Sequence, residues 1–514
     1  MPDYILGIHD GHNASAAILK DGELLFALQE ERPLGIKNYS GFPERAIRAC
    51  LDFAGIGPEA VRQAAFASHR VTPVHFRTTN MAGAMRRDAT WWGIFRRAAL
   101  WYPYYRFNRN LGWGERSSRM REMGFKPEQC TRFGHHRCHA ATAYYGLRED
   151  PRSAYAIVTV DGYGDLDCAT VWSGRDGVMK PIARTHLTHS LGTIYAVVTG
   201  AMGFVPLEHE YKLMGMAPYA PPKYTGPTLE LFHSLLDVDE ENLQFRRRTF
   251  MPTTTYSRRL RRMLVGHRFD QICAGLQRFT EDLLVKFVGA VLRKQRVSRL
   301  LCAGGVFMNV KANKRIMEMP EVDYLGVYPS CGDETLSIGA ACLSHAETGG
   351  NGAADSIAPL GAYYLGTDVS EESCREVVEA SGHEYKRYDD VEAEVVKALT
   401  SGHPVARCKG RMEFGARALG NRSILADPSN QDVVRVINQM VKKRDFWMPF
   451  APVVRRERMN DYFVNPKNFR SPYMMLTFDS KDNFREFIAA VHNADLTARP
   501  QVIEKDHNPD YYRL

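Results

Sequence analysis

His135 and His139 lie in the run Phe-Gly-His-His-Arg-Cys-His-Ala from Phe133 to Ala140, four residues apart at the start of a helical stretch. Positions i and i+4 share one helix face, so both imidazoles can reach a single metal ion. Two imidazoles leave room for oxygen ligands. The best carboxylates are Asp161, in Val-Asp-Gly-Tyr-Gly-Asp, and Asp333, in Ser-Cys-Gly-Asp-Glu-Thr. Each follows a strand-like run, Tyr155 to Val160 or Tyr324 to Tyr328, and so sits where α/β sheets present ligands. A nitrogen and oxygen donor set of this kind suits iron(II), zinc or manganese.

The elements around these residues read as a repeat. Residues 4 to 32 give strand, polar glycine loop and a hairpin turning at Asp21-Gly22. The same order returns from Tyr155 to Thr185, with a turn at Asp176-Gly177. Two such copies predict an internally duplicated α/β domain with the look of the actin-like ATPases and sugar kinases. An amphipathic helix is expected from Pro43 to Ala54 and another from Asp270 to Lys294. Arg299 to Ala303 is then a buried strand followed by Gly304-Gly305 and Asn309, where small residues allow a nucleotide close to the backbone.

Residues 82 to 122 change character, with nine arginines among Trp91, Trp92, Trp101 and Trp113. The segment suits a helical insertion packing its tryptophans, a lid over an acceptor, or, less well, a nucleic-acid surface. The Gly-rich run from Gly349 to Ser356 marks a linker, giving domains at 1–350 and 361–514 joined by 351–360. In the second domain, Gly-Arg-Met-Glu-Phe-Gly-Ala-Arg-Ala-Leu-Gly-Asn-Arg-Ser at 410 to 423 embeds arginines among apolar residues, which suits phosphate or carboxylate recognition. An internal lattice of arginines and acids is the plainer alternative.

The chain has 514 residues, enough for more than one core, and a formal charge of +8, which fits anionic small molecules rather than a nucleic-acid coat. Ten scattered cysteines without a CxxC pair point to reduced thiols and a cytoplasmic setting. No signal peptide or spanning segment is expected. A homodimer is compatible with this size.

Taken together the motifs resemble the NodU/CmcH-type O-carbamoyltransferases. The resemblance rests on Gly-Ile-His-Asp-Gly-His-Asn-Ala-Ser-Ala-Ala at 7 to 17, Gln-Glu-Glu-Arg at 29 to 32 and the histidine run at 135 to 140. Ser-Leu-Gly-Thr-Ile-Tyr at 190 to 195, Glu-Tyr-Lys-Leu-Met-Gly-Met-Ala-Pro-Tyr at 210 to 219 and Ala-Gly-Gly-Val-Phe-Met-Asn at 303 to 309 extend it. The arginine block, Lys-Lys-Arg-Asp-Phe-Trp-Met-Pro-Phe-Ala-Pro at 442 to 452, Ser-Pro-Tyr-Met-Met at 471 to 475 and Thr-Ala-Arg-Pro-Gln at 497 to 501 complete it. The resemblance implies an actin-like domain followed by a smaller YrdC-like α/β domain, shortened at its C-terminus because the chain stops at Asn-Pro-Asp-Tyr-Tyr-Arg-Leu. It implies that carbamoyl phosphate and ATP with Mg(2+) give carbamoyl adenylate, and that the carbamoyl group passes to a hydroxyl of a small natural-product or sugar acceptor.

By position, His135, His139, Asp161 and Asp333 fall on the family's iron(II) ligands, and His12 on a loop histidine that would act as general base. Lys37, Arg417, Lys442, Arg444 and Arg499 fall in or beside its carbamoyl phosphate segments. Asn13 departs from the family, whose members commonly carry Asp there. A tRNA-modification or nucleic-acid-binding protein of the threonylcarbamoyl type is the alternative, and a small-molecule kinase a third.

Overall fold

The computed structural model describes residues 2–70, 106–108, 110–253, 257–350, 352–439 and 444–514. Most of the arginine- and tryptophan-rich insertion and Lys442 lie outside these. The chain forms two compact units, Met1–Leu360 and Gly361–Leu514, both mixed α/β.

The first unit holds two five-stranded sheets. One is built from β1 (Tyr4–His9), β2 (Ser15–Lys20), β3 (Glu23–Gln29), β4 (Val61–Ala67) and β5 (Cys130–Phe133), in the order β3-β2-β1-β4-β5. The other uses β6 (Tyr155–Gly164), β7 (Asp167–Arg175) and β8 (Val178–His186). After a small hairpin of β9 (Leu236–Asp239) and β10 (Gln244–Arg247) it adds β11 (Arg299–Ala303) and β12 (Tyr324–Val327), in the order β12-β11-β6-β7-β8. The two orders are the same written from opposite ends. In each, three strands meander antiparallel and two more add in parallel. The hairpin turns explain part of this. Lys20 pairs with Glu23 across Asp21-Gly22, and Arg175 with Val178 across Asp176-Gly177. All four turn residues have φ between 50° and 88°, the geometry that matches strand twist.

Each half continues from its last parallel strand into a helix, His135–Leu147 after β5 and Leu336–Thr348 after β12. These helices pack on each other at small residues. A Cβ on Gly339 would lie 2.0 Å from the Cys138 carbonyl oxygen, and one on Gly7 of β1 would lie 1.8 Å from that of Ser337. The entrances of both helices are thereby brought together. The 27-residue helix Phe269–Gln295 buries Ile272, Leu276, Phe279, Leu283, Phe287 and Val291 along one side, at the spacing the sequence sets.

The segment expected as a linker belongs to the first unit. Ala358 N donates to Gly22 O, Arg148 Nη2 to Ala354 O and Leu360 N to Gly146 O, so residues 352–360 group with the first unit and the second begins at Gly361. Backbone polar groups that find partners in a folded surface fix even a Gly-rich run.

The second unit contains helices Glu371–Ser381 and Val391–Thr400 and three two-stranded pairings: β13 (Val405–Cys408) with β14 (Arg422–Leu425), β15 (Val453–Arg455) with β18 (Gln501–Ile503), and β16 (Phe478–Asp479) with β17 (Thr497–Ala498). All ten cysteines are free. Among the described residues no helix is long and apolar enough to cross a membrane.

Candidate metal centre and anion site

Four side chains from three places in the first unit converge. His135 and His139 come from the first turns of their helix, Asp161 from a register break in β6 after Val160, and Asp333 from the short turn Asp333–Thr335 before the Leu336–Thr348 helix. The break re-aims Asp161, as bulges do. One ligand atom of each residue lies within 4.8 Å of the other three. His135 Nε2 is 3.4 Å from Asp161 Oδ2 and 3.5 Å from Asp333 Oδ1, and His139 Nε2 is 3.4 Å from Asp333 Oδ1. Donors about 2.1 Å from a tetrahedral divalent ion stand about 3.4 Å apart.

His135 Nε2, His139 Nε2 and Asp333 Oδ1 are buried and lack hydrogen-bond partners. A buried polar atom without a partner costs free energy, so three that face one another mark a place for a cation. The electrostatics agree. Burial opposes protonation of His135, yet Asp333 and Asp161 push its pKa up to about 9. Burial works against both carboxylates, and the histidines nevertheless hold Asp161 and Asp333 below the usual carboxylate range. Two carboxylates and two imidazoles balance one divalent ion, and the residues fit such a group.

The surrounding groups orient the ligands. Ser68 Oγ meets His135 Nδ1 at 3.2 Å, leaving Nε2 for the cluster. Gly305 N donates to Asp161 Oδ1 at 3.0 Å. Gly304 has φ 98°, and a Cβ there would lie 2.4 Å from Val160 O. The Gly-Gly pair read as a nucleotide turn thus holds a carboxylate of the cluster. Asn309 spends both ends of its amide, exchanging hydrogen bonds with Gln277 and capping Ala312 N. Ser190 Oγ, which opens the Leu191–Ala201 helix by accepting from Thr193 N, also donates to Gly162 O at 2.6 Å.

Asp165, the last residue of the run that supplies Asp161, escaped the sequence reading. It accepts from the backbone N–H groups of His69, Arg70 and His135 at 2.9 to 3.2 Å and so starts the helix that carries both histidines.

His12 sits in the β1–β2 turn, where its carbonyl accepts from His9 Nε2 at 2.9 Å. Burial lowers its pKa against Asp333, Asp161, Glu31 and Glu208, and keeps the imidazole neutral near pH 7. Lys37 is an exposed residue of the same unit, ion-paired with Glu208.

In the second unit the arginine block divides. Arg407, Arg411 and Arg422 spend their guanidinium groups on backbone carbonyls of Gly420, Leu365 and Gly410. Buried Glu413 accepts from the N–H groups of Leu419, Asn421 and Arg422 and folds the loop. These residues form the internal lattice. Arg444 likewise donates to a carbonyl, that of Pro449 at 3.3 Å, while burial and the charges of Arg417 and Arg444 hold the Arg499 pKa well below the usual arginine range.

The family profile described as "Carbamoyltransferase N-terminus" matches residues 4–342, and "Carbamoyltransferase C-terminus" matches residues 396–514. The chain belongs to the carbamoyltransferase family. It is therefore a transferase enzyme, as its motifs implied. Within curated proteins this carbamoyltransferase is 29% identical to the nodulation protein NolNO of Sinorhizobium fredii, over 98% of this chain and 71% of that one. It is also 29% identical to the uncharacterized protein sll1178 of Synechocystis sp., over 99% of this chain and 88% of that one. A solved structure, (R)-2-hydroxyglutaryl-CoA dehydratase component A of Acidaminococcus fermentans, overlaps 66% of this chain and 96% of its own at 14% identity, with a TM-score of 0.36, too loose a likeness to argue from.

Proposed function

We propose that the enzyme is an ATP-dependent O-carbamoyltransferase acting on a hydroxyl of a small natural product or sugar, with an actin-like first domain and a YrdC-like second one. Carbamoyl phosphate, water and ATP with Mg(2+) give carbamoyl adenylate, phosphate and pyrophosphate in the second unit. The acceptor oxygen then attacks the carbamoyl carbon in the first, the bond to AMP breaks, and AMP leaves with its electron pair.

The observation that carries this reading is the meeting of His135, His139, Asp161 and Asp333, with three orphaned buried donor atoms, in a chain of this family. A divalent ion held there, which we take to be iron(II), would offset phosphate charge and orient the adenylate. His12, kept neutral by burial, takes the hydroxyl proton as attack begins. Arg417, Arg444 and Arg499, and Lys442 on the family resemblance alone, offset the charge of carbamoyl phosphate beside ATP. Lys37 is assigned to the carbamoyl phosphate on the family resemblance, and Gly304, Gly305 and Asn309 to the nucleotide on their place after the strand Arg299–Ala303.

Carbamoyl phosphate-dependent exchange of pyrophosphate into ATP tests the scheme. Arg417→Ala is expected to lower exchange at least about 100-fold. His12→Ala should exchange normally yet transfer radiolabelled carbamoyl to a panel of sugar hydroxyls about 10²- to 10⁴-fold more slowly. Normal exchange in both variants would overturn these roles.

A further inference from the structure

Asp10 and Asp161 occupy the same place in the two halves. Each follows the regularly paired part of the first strand of its sheet and precedes a glycine, in His-Asp-Gly after β1 and in Val-Asp-Gly where the pairing of β6 breaks after Val160. Asp161 joins the cation cluster. Asp10 is held by Arg116, from the helix Trp113–Glu122 at the end of the arginine-rich insertion. Nε donates to Asp10 Oδ2 at 2.8 Å and Nη2 to Oδ1 at 2.6 Å, a bidentate pair with Arg116 only 2% exposed. The same guanidinium reaches on: Nη1 donates to Ser68 O at 2.8 Å, Nη2 also contacts Ala67 O at 3.4 Å, and the plane lies over the Phe66 ring.

Ser68 is buried and has φ 80°, a left-handed backbone that serine adopts at a cost. Pinned by its carbonyl in that conformation, it turns its hydroxyl to His135 Nδ1. We propose that Arg116 is a positioning residue for the metal centre: paired with Asp10, it fixes Ser68 so that the Ser68 hydroxyl sets the tautomer and ring plane of His135, leaving Nε2 to ligate. The arginine thereby does in the first half what the metal does in the second, neutralising the aspartate that follows the leading strand. The insertion is tied through it into the floor of the site.

The proposal rests on the four-residue cluster binding metal, and the test separates the two. Full-length protein stripped of metal is titrated with Co(2+) alone, following visible absorption for affinity and far-ultraviolet dichroism for fold. Ser68→Ala should weaken Co(2+) binding about 10- to 100-fold with its fold retained. Arg116→Ala should weaken it to a similar degree, and millimolar guanidinium should restore at least part of the loss, which a residue needed only for packing would not allow. Wild-type affinity in Ser68→Ala, or an Arg116→Ala defect that guanidinium leaves untouched, overturns the positioning role. No Co(2+) binding by the wild type overturns the metal reading and this proposal with it.

Discussion

At the scale of single residues, the cluster depends on space left by glycines as much as on its ligands. A Cβ at Gly164 would fall 2.0 Å from His135 Cγ, inside the ring. Gly164→Ala should displace His135 and cost about 1–3 kcal/mol of stability. Metal analysis of the purified variant, read beside wild type, is expected to show most of the ion lost. A second prediction concerns Glu210, whose carboxyl is pushed up to about 7 by burial, with Glu208 adding and N–H donation from Leu207 opposing. The native carboxyl keeps its proton to about pH 7, whereas the unfolded one releases it near 4.5. Folding therefore takes up a proton between those values, so stability falls as pH rises through this window and is level above it. Glu210→Gln should flatten that slope and gain about 1–3 kcal/mol at pH 8 over wild type, measured by urea unfolding at pH 5 and pH 8.

At the scale of elements, the site exists because two equivalent helices approach closely. Gly339→Ala would drive a methyl into the Cys138 carbonyl and force the helices apart, at a cost of about 2–3 kcal/mol or more. Gly114, on the surface helix Trp113–Glu122, has open space around its Cβ position. Gly114→Ala should be neutral or stabilise by up to about 1 kcal/mol through helix propensity. Thermal unfolding of the two variants is expected to move in opposite directions; equal effects would mean that helix contact does not limit stability.

At the scale of the whole molecule, Met1–Leu360 and Gly361–Leu514 each fold around their own contacts, the second with Val433, Ile437 and Ala489 packed by Phe450. All four metal-cluster residues lie in the first. A ligand that binds one folded unit stabilises that unit by mass action. Calorimetry of the full chain is therefore expected to show two transitions, of which added divalent metal raises one and chelator lowers the same one. A single transition that moves as a whole would contradict this independence.

Much of the site was legible in the chain because its signals are local. An i, i+4 histidine pair, a carboxylate after an apolar run and a two-residue Asp-Gly turn are set by helix pitch, strand pairing and backbone sterics over a few residues. Those rules gave both hairpins, the long helix, β11 and all four cluster residues. Asp165, Ser68 and Arg116 were not legible, nor was the engagement of Arg407, Arg411 and Arg422 with backbone carbonyls. The Gly-rich run at 349–356 likewise resembled a linker until Gly22 and Gly146 gave its neighbours hydrogen bonds. A guanidinium or a carboxylate has the same composition whether it meets water, a carbonyl or a ligand. Which one it meets depends on residues a hundred positions away, so only the packed chain could decide it.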